Sequence, residues 1–119
     1  MTQRVRIARI KTGLDAAIVL VEKRAEFLWD LINRGTIISR DEQIRNRMII
    51  SHIAKKCYDL GNKSAYAAGS RGTYSTSHIQ RFHRDINTLV THAIYEHDHV
   101  ANMYGGTLMG VELPEDAMI

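Results

Sequence analysis

The sequence predicts an all-α protein that folds as an antiparallel up-and-down helical bundle. Apolar residues recur at steps of three, four and seven along most of the chain, which is the spacing of helix faces turned toward a core. The single proline, Pro114, lies near the C-terminus, so no strong helix breaker interrupts the preceding residues. No segment alternates apolar and polar residues as a half-buried strand does, and short loops between long helices favour antiparallel neighbours.

The length and composition predict a single domain over residues 1–119. A chain of 119 residues can bury one modest core. Apolar residues at 45% and charged residues at 24% are typical of globular proteins and exclude a disordered chain. No apolar run reaches the length of a membrane span and the N-terminus lacks a signal-peptide core, so we expect a cytoplasmic protein.

The first helix is predicted from Val5 to Asn33. Its apolar seam consists of Ile10, Leu14, Ala17, Val21, Leu28 and Leu31. Arg24 falls within this seam, so its guanidinium either reaches the edge of the bundle or meets an acid from another segment. Gly35 follows Arg34 and can adopt the left-handed conformation that ends a helix.

The second helix is predicted to begin at a capping box, since Ser39 stands three residues before Glu42. Its apolar seam consists of Ile49, Ile53, Cys57, Leu60, Ser64 and Ala67. Small residues from Ser64 to Ala68 allow another backbone or a ligand to approach closely. The segment from Gly69 to Thr76 is rich in glycine and hydroxyl groups, which predicts a loop.

Ser77 is the predicted N-cap of a third helix. The face of this helix that we expect to pack inward consists of Ile79, Phe82, Ile86, Leu89 and Ala93. A fourth, shorter helix is predicted from His97 to Tyr104, ended by Gly105 and Gly106, with a tail around Pro114.

The opposite face of the third helix carries a polar stripe. It consists of Arg81, Asp85, Thr88, His92, Tyr95 and His99, with Arg84 beside it. Residues at three- and four-residue steps share one helix face, so the stripe is either a solvated surface or the wall of a ligand site. The neighbouring segment Gly69–Gly72 favours the second interpretation, because backbone N–H groups and the cation of Arg71 can bind phosphate oxygens.

The histidines of this helix also raise the question of a metal. His92, Glu96 and His99 share a face at positions i, i+4 and i+7, but they form an incomplete ligand set. His97 and His99 are two residues apart and point to opposite sides of a helix, so they cannot close a site together. We therefore predict no metal centre.

Two segments carry a resemblance to a known family. The second helix ends in Ala67-Ala68-Gly69-Ser70-Arg71-Gly72, and Arg84-Asp85 follows inside the next helix. This order resembles the C-terminal domain of acyl-CoA dehydrogenases over nearly the whole chain. The segment from Phe82 to Thr88, continued through Thr91-His92, is most similar to the flavin-dependent two-component monooxygenases of that superfamily, the branch of dibenzothiophene monooxygenase and of oxygenases of hydroxylated aromatic compounds.

The resemblance implies roles for the residues of both segments. Gly69, Ser70, Arg71 and Gly72 correspond to a glycine loop that meets the flavin phosphates, often in a neighbouring subunit, with Ser70 replacing the commoner glycine. Arg84 and Asp85 correspond to the Arg-Asp pair of the family near the flavin site, and Thr88 lies one turn further along. His92 stands where the monooxygenases keep a histidine near the isoalloxazine ring. An imidazole there can move a proton to or from a flavin peroxide or a phenol, so His92 is the predicted catalytic residue.

An acyl-CoA dehydrogenase is the second interpretation. Those enzymes use the glutamate of a Tyr-Glu-Gly-Thr stretch to remove an α-proton from a thioester. Tyr95 and Glu96 match its first two residues, but His97 and Asp98 replace the Gly-Thr. Glu96 also lies about one helical turn too far from the Arg-Asp pair. Its alternative role is that of a solvated carboxylate near a helix end.

The resemblance further implies that this chain is the C-terminal part of a larger flavoenzyme. The N-terminal helices and the central β-domain would complete the cleft for reduced FMN or FAD, which a separate flavin reductase supplies. We expect a homo-oligomer, a dimer or tetramer, joined through the bundle. We expect no turnover by the 119 residues alone.

A helical interaction module without catalytic ancestry is a different class of hypothesis. Its basic residues are Arg4, Arg6, Arg9 and Lys11, spread over several helix faces. The net charge of +3 permits an anionic partner but is low for a nucleic-acid-binding protein. Nucleic-acid binding predicts a concentrated basic patch and a steep salt dependence, whereas an exposed apolar face would indicate a missing domain or subunit.

Overall fold

The structure, a computed structural model, describes residues 2–69 and 77–117, except for the side chains of residues 93–95. This part of the chain forms three long helices, α1 (Gln3–Asn33), α2 (Arg40–Ala68) and α3 (His78–Leu108), and contains no strand. The all-α prediction is confirmed. Within the same residues, none of the helices combines the length and apolar character needed to cross a bilayer.

The predicted helix boundaries between α1 and α2 are confirmed. Gly35 has a φ of 67° after the last turn of α1, and the N–H groups of Gly35 and Thr36 donate to carbonyl oxygens of that turn. Ser39 Oγ accepts the N–H of Glu42 at 3.2 Å and so caps α2. Ser77 precedes α3 at the expected place, although its side chain makes no capping hydrogen bond.

The prediction of a separate fourth helix is wrong. α3 continues without a break through Gly105 and Gly106 and ends at Leu108. A glycine inside a helix costs only about 1 kcal/mol relative to alanine, so neither glycine has to end it. The helix stops where Gly110 adopts a φ of 79° and the Val111 N–H donates to the Gly106 carbonyl at 2.9 Å.

α2 lies between the other two helices and runs antiparallel to both. α1 and α3 have no Cα atoms within 8 Å of each other in the described chain. Two glycines bring the neighbours close to adjacent positions of α2. A Cβ on Gly13 of α1 would lie 3.0 Å from Leu60, and a Cβ on Gly61 of α2 would lie 2.9 Å from Ile86 of α3. The three helices therefore form a layer with two close contacts at adjacent positions toward the C-terminal end of α2.

Arg24 joins α1 to the beginning of α2. Its side chain is 8% exposed, its Nε donates to Asn46 Oδ1 at 3.0 Å, and its Nη2 donates to Glu42 Oε2 at 3.0 Å. Nη2 also reaches the Glu42 carbonyl at 3.1 Å, and the guanidinium lies over the Phe27 ring. Of the two outcomes that the sequence left open for Arg24, the structure shows an acid from another segment.

The buried apolar side chains are Ala17, Ile44, Leu60, Val90 and Val100. The prediction for the inward face of α3 is therefore wrong in part. Phe82 is 53% exposed and Leu89 is 75% exposed, whereas the neighbouring Val90 is buried. α3 carries two apolar stripes, and α2 covers the one that contains Val90. Ala93, the last member of the predicted face, lies among the side chains that are not described.

The uncovered stripe of α3 belongs to a larger exposed surface. We define the apolar face as Ile7, Leu14 and Val21 of α1 with Ile79, Phe82 and Leu89 of α3, all of them exposed. Ile7, Leu14 and Ile79 line one groove over the small residues at the end of α2. The other three members follow at helical spacing, which places them on the same side. Exposed apolar surface of this extent is typical of a protein interface.

Candidate functional site

The polar stripe of α3 is exposed at each of its described side chains. Arg84, Asp85, Thr88 and His92 all face solvent within two and a half turns, so the structure brings these four predicted site residues together on one side of α3. Thr88 Oγ1 donates to the Arg84 carbonyl at 3.1 Å, which leaves the hydroxyl oxygen as an acceptor. The side chain of Tyr95 lies outside the described residues.

The predicted glycine loop begins at the end of α2. Gly69 has φ 68° and ψ −156°, a backbone conformation that glycine alone adopts readily, and its N–H donates to the Tyr66 carbonyl. A Cβ at this position would meet no atom of the described residues within 4 Å. Ser70, Arg71 and Gly72 lie outside the described residues.

The glycine loop and His92 lie at different heights of the layer. His83 Nε2 donates to Asn62 Oδ1 at 2.6 Å, and this contact sets the antiparallel register of α2 and α3. Gly69 is therefore level with the start of α3. His92 follows His78 by fourteen residues, or about 21 Å along the axis at 1.5 Å per residue. One chain does not place Gly69 beside His92.

Glu96 contacts α2. Its carboxylate forms an ion pair with the guanidinium of Arg47, although both groups keep part of their surface in solvent. His97, its neighbour in the sequence, is half-buried and its Nδ1 is shielded from solvent, whereas His99 is exposed. Among the described residues, no group of three or more His, Cys, Asp or Glu side chains is arranged to hold a metal ion.

A second site was missed by sequence reasoning. We define the basic pocket as the cavity of about 460 Å³ between the start of α1 and the end of α2. Its lining residues are Arg6, Arg9, Ile10, Asn62, Lys63 and Tyr66. The basic N-terminal segment gave a partial signal, but the other half of the lining comes from a helix more than fifty residues away. No local motif joins the two halves.

Comparison with known proteins places the fold. The family described as the C-terminal domain of acyl-CoA dehydrogenases matches residues 1–97. The crystal structure of 3-HSA hydroxylase from Rhodococcus sp. RHA1 is similar with a TM-score of 0.84 at 21% sequence identity. That likeness covers 95% of this chain and 29% of the hydroxylase chain, so this chain spans less than a third of its length. No curated protein matches. The family match covers most of the 119 residues of this chain, so the chain belongs to the acyl-CoA dehydrogenase C-terminal domain family.

Proposed function

We propose that this chain is the C-terminal helical domain of a flavin-dependent monooxygenase that hydroxylates an aromatic substrate. Membership of the family and the shared fold with a hydroxylase support this proposal. The observation that carries it is the exposed array of Arg84, Asp85, Thr88 and His92 on one side of α3. This array presents a cation, hydrogen-bonding groups and a proton carrier to whatever covers that side.

The residues present fit a flavin. Gly69 has the backbone conformation of a glycine turn that can meet a phosphate, and none of the ion pairs within the described residues involves Arg84, whose guanidinium can bind an anionic part of the cofactor. Reduced FMN or FAD, when bound, supplies the electrons that activate O2. His92 holds or delivers a proton at the substrate hydroxyl, and Asp85 and Thr88 shape the wall beside it.

The separation of Gly69 and His92 along the layer gives the proposal a quaternary form. We assign the glycine turn of one chain and the His92 of the same chain to two different flavins, each completed by another subunit. The exposed apolar face supports such an assembly, a dimer or tetramer, because the central β-domain, the N-terminal helices or another subunit can cover it. A separate flavin reductase and a cytoplasmic location belong to the same proposal.

The acyl-CoA dehydrogenase alternative depends on Glu96. A catalytic base has to reach the proton that it removes, and the carboxylate of Glu96 is instead tied to Arg47 of α2. That contact favours the monooxygenase.

The test uses the complete enzyme that contains this domain, supplied with reduced FMN or FAD, O2 and a panel of phenols. We expect hydroxylated product. We also expect His92→Ala to lower product formed per flavin oxidised by about 100-fold, because proton transfer by a positioned side chain contributes at that scale. Flavin binding should be unchanged. His52→Ala is the control, since His52 is an exposed histidine of α2 outside the polar stripe and the glycine loop. Equal yields from both variants, or flavin reduction by an acyl-CoA thioester without any hydroxylation, would overturn the proposal.

A further inference from the structure

The basic pocket lies on the side of α2 that faces away from the apolar face. Asn62, Lys63 and Tyr66 line the pocket, whereas Ser64, Ala67 and Ala68 line the apolar groove. Successive helix residues are turned by about 100°, so the two sets are centred on different sides of the same helix segment. Ile10 of α1 borders both cavities, and it is the one lining residue that the pocket shares with the groove among the described residues. The pocket is formed without any residue of the polar stripe.

The polar groups that line the pocket are mainly hydrogen-bond donors, and its described lining contains no carboxylate. Arg6, Arg9 and Lys63 contribute three cations, and the guanidinium of Arg6 is held over the Tyr66 ring at 5.4 Å. Asn62 accepts a hydrogen bond from His83 through its Oδ1, which leaves its amide NH2 group as a donor. A cavity with this lining favours an anion.

The pocket also has an apolar component. Ile10 and the ring of Tyr66 are part of the lining, and Tyr66 is 76% exposed. The volume of about 460 Å³ falls within the usual range for small-molecule sites. These properties suit an anion that is attached to a ring better than they suit an inorganic ion alone.

We propose that the basic pocket binds a phosphate ester with an aromatic base, a molecule of nucleotide size. The phosphates lie against Arg6, Arg9 and Lys63, since guanidinium and ammonium groups match phosphate oxygens in geometry and charge. The base lies on Tyr66. This inference does not rest on the monooxygenase proposal and concerns different residues.

The distribution of charge favours a single nucleotide over a nucleic acid. Of the four basic residues near the N-terminus, Arg6 and Arg9 line the pocket, whereas Lys11 pairs with Asp15 on its own helix. The cations thus converge on one cavity. A nucleic-acid-binding surface instead requires a row of cations along the path of the phosphate backbone.

The experiment titrates the 119-residue chain with ADP, adenosine, benzoate and a short single-stranded oligonucleotide, using calorimetry and amide chemical shifts. We expect ADP to bind at least about tenfold more tightly than adenosine, with the largest shifts at the start of α1 and the end of α2. Lys63→Glu should weaken ADP binding by about tenfold or more. Lys55→Glu makes the same charge change on the same helix outside the pocket, so affinity should be nearly unchanged.

Four results would overturn the proposal. The first is no saturable binding of ADP below about 10 mM, and the second is an equal loss of ADP affinity in Lys63→Glu and Lys55→Glu. The third is benzoate binding as tightly as ADP. The fourth is an oligonucleotide that binds more tightly than ADP and whose affinity is weakened equally by Lys63→Glu and Lys55→Glu. Circular dichroism establishes that each variant is folded. If Lys63→Glu does not fold, Arg6→Gln provides a second variant that removes a cation from the pocket.

Discussion

The two sides of α2 prepare the same helix for partners of opposite chemistry. Small residues near its end leave a shallow apolar groove on one side, and within the same two turns Lys63 and Tyr66 line the basic pocket on the other. Contact of the apolar side with water is unfavourable in free energy, so this side is suited to another protein surface. The other retains water until an anion replaces it. The modest overall charge of the chain conceals this division, because charge is averaged over both sides.

The largest expected effect comes from weakening the contact of α1 with α2, because α1 lines both the basic pocket and the apolar groove. Arg24→Met keeps the apolar stem but removes the buried guanidinium and its bonds to Glu42 and Asn46. We expect the free energy of unfolding, measured in urea, to fall by about 3 kcal/mol. This is the lower end of the range for breaking a buried ion pair, because Glu42 is partly exposed and keeps its contact with Arg45.

Lys23→Met is the matched control. Lys23 also pairs with an acid, Glu26, but both side chains are mostly exposed. An exposed pair contributes little, so the change should stay within about 0.5 kcal/mol. Similar losses in the two variants would show that Arg24 does not hold α1 to α2.

The second largest expected effect comes from disrupting the contact between α2 and α3. Even the first carbon of a side chain on Gly61 would lie 2.9 Å from Ile86, so Gly61→Val forces its methyl groups against α3. Overpacking of this kind costs about 2 kcal/mol, which thermal unfolding measures. Gly105→Val is the control, since a Cβ there meets no described atom of another element within 4 Å and valine is a better helix former than glycine. Equal destabilisation by both variants would show that the contact between Gly61 and Ile86 is not the cause.

The smallest effect tests the apolar face. Leu89→Glu should raise the dissociation constant for self-association of the isolated chain by about tenfold, or about 1.4 kcal/mol, because a carboxylate would lose its hydration in the contact. Sedimentation velocity measures the change. Ile37→Glu is the control, since Ile37 is 92% exposed but lies in the loop between α1 and α2. If Ile37→Glu raises the dissociation constant as much as Leu89→Glu does, the apolar face is not the surface through which the chain self-associates.

Local chemistry was sufficient to predict much of the fold. The left-handed glycine at Gly35 and the N-cap at Ser39 depend on residues within one turn, and both were found where the sequence placed them. The reciprocal half of the predicted capping box is not observed, because the Glu42 carboxylate pairs with Arg24 and Arg45. The end of α3 was misplaced because Gly105 and Gly106 suit a helix end as well as a helix interior. Gly110, with its positive φ, makes the difference, and its role depends on how the chain continues beyond it.

Contacts between helices set the limit of sequence reasoning. Phe82 and Leu89 have the spacing of a core stripe, and they were wrongly expected to pack inward because the spacing does not say which neighbour covers them. The basic pocket was missed for a related reason, since Lys63 joins Arg6 only through the antiparallel register of α1 and α2. The roles proposed for His92 and Arg84 came from a resemblance, and they stay predictions.

The close contacts of α2 with its two neighbours lie at adjacent residues, Leu60 and Gly61. Gly13 of α1 approaches α2 at Leu60, and Ile86 of α3 approaches it one residue later, within one turn of the basic pocket. A side chain added at Gly13 or at Gly61 would therefore push a different neighbour away from α2 at the same height of the layer.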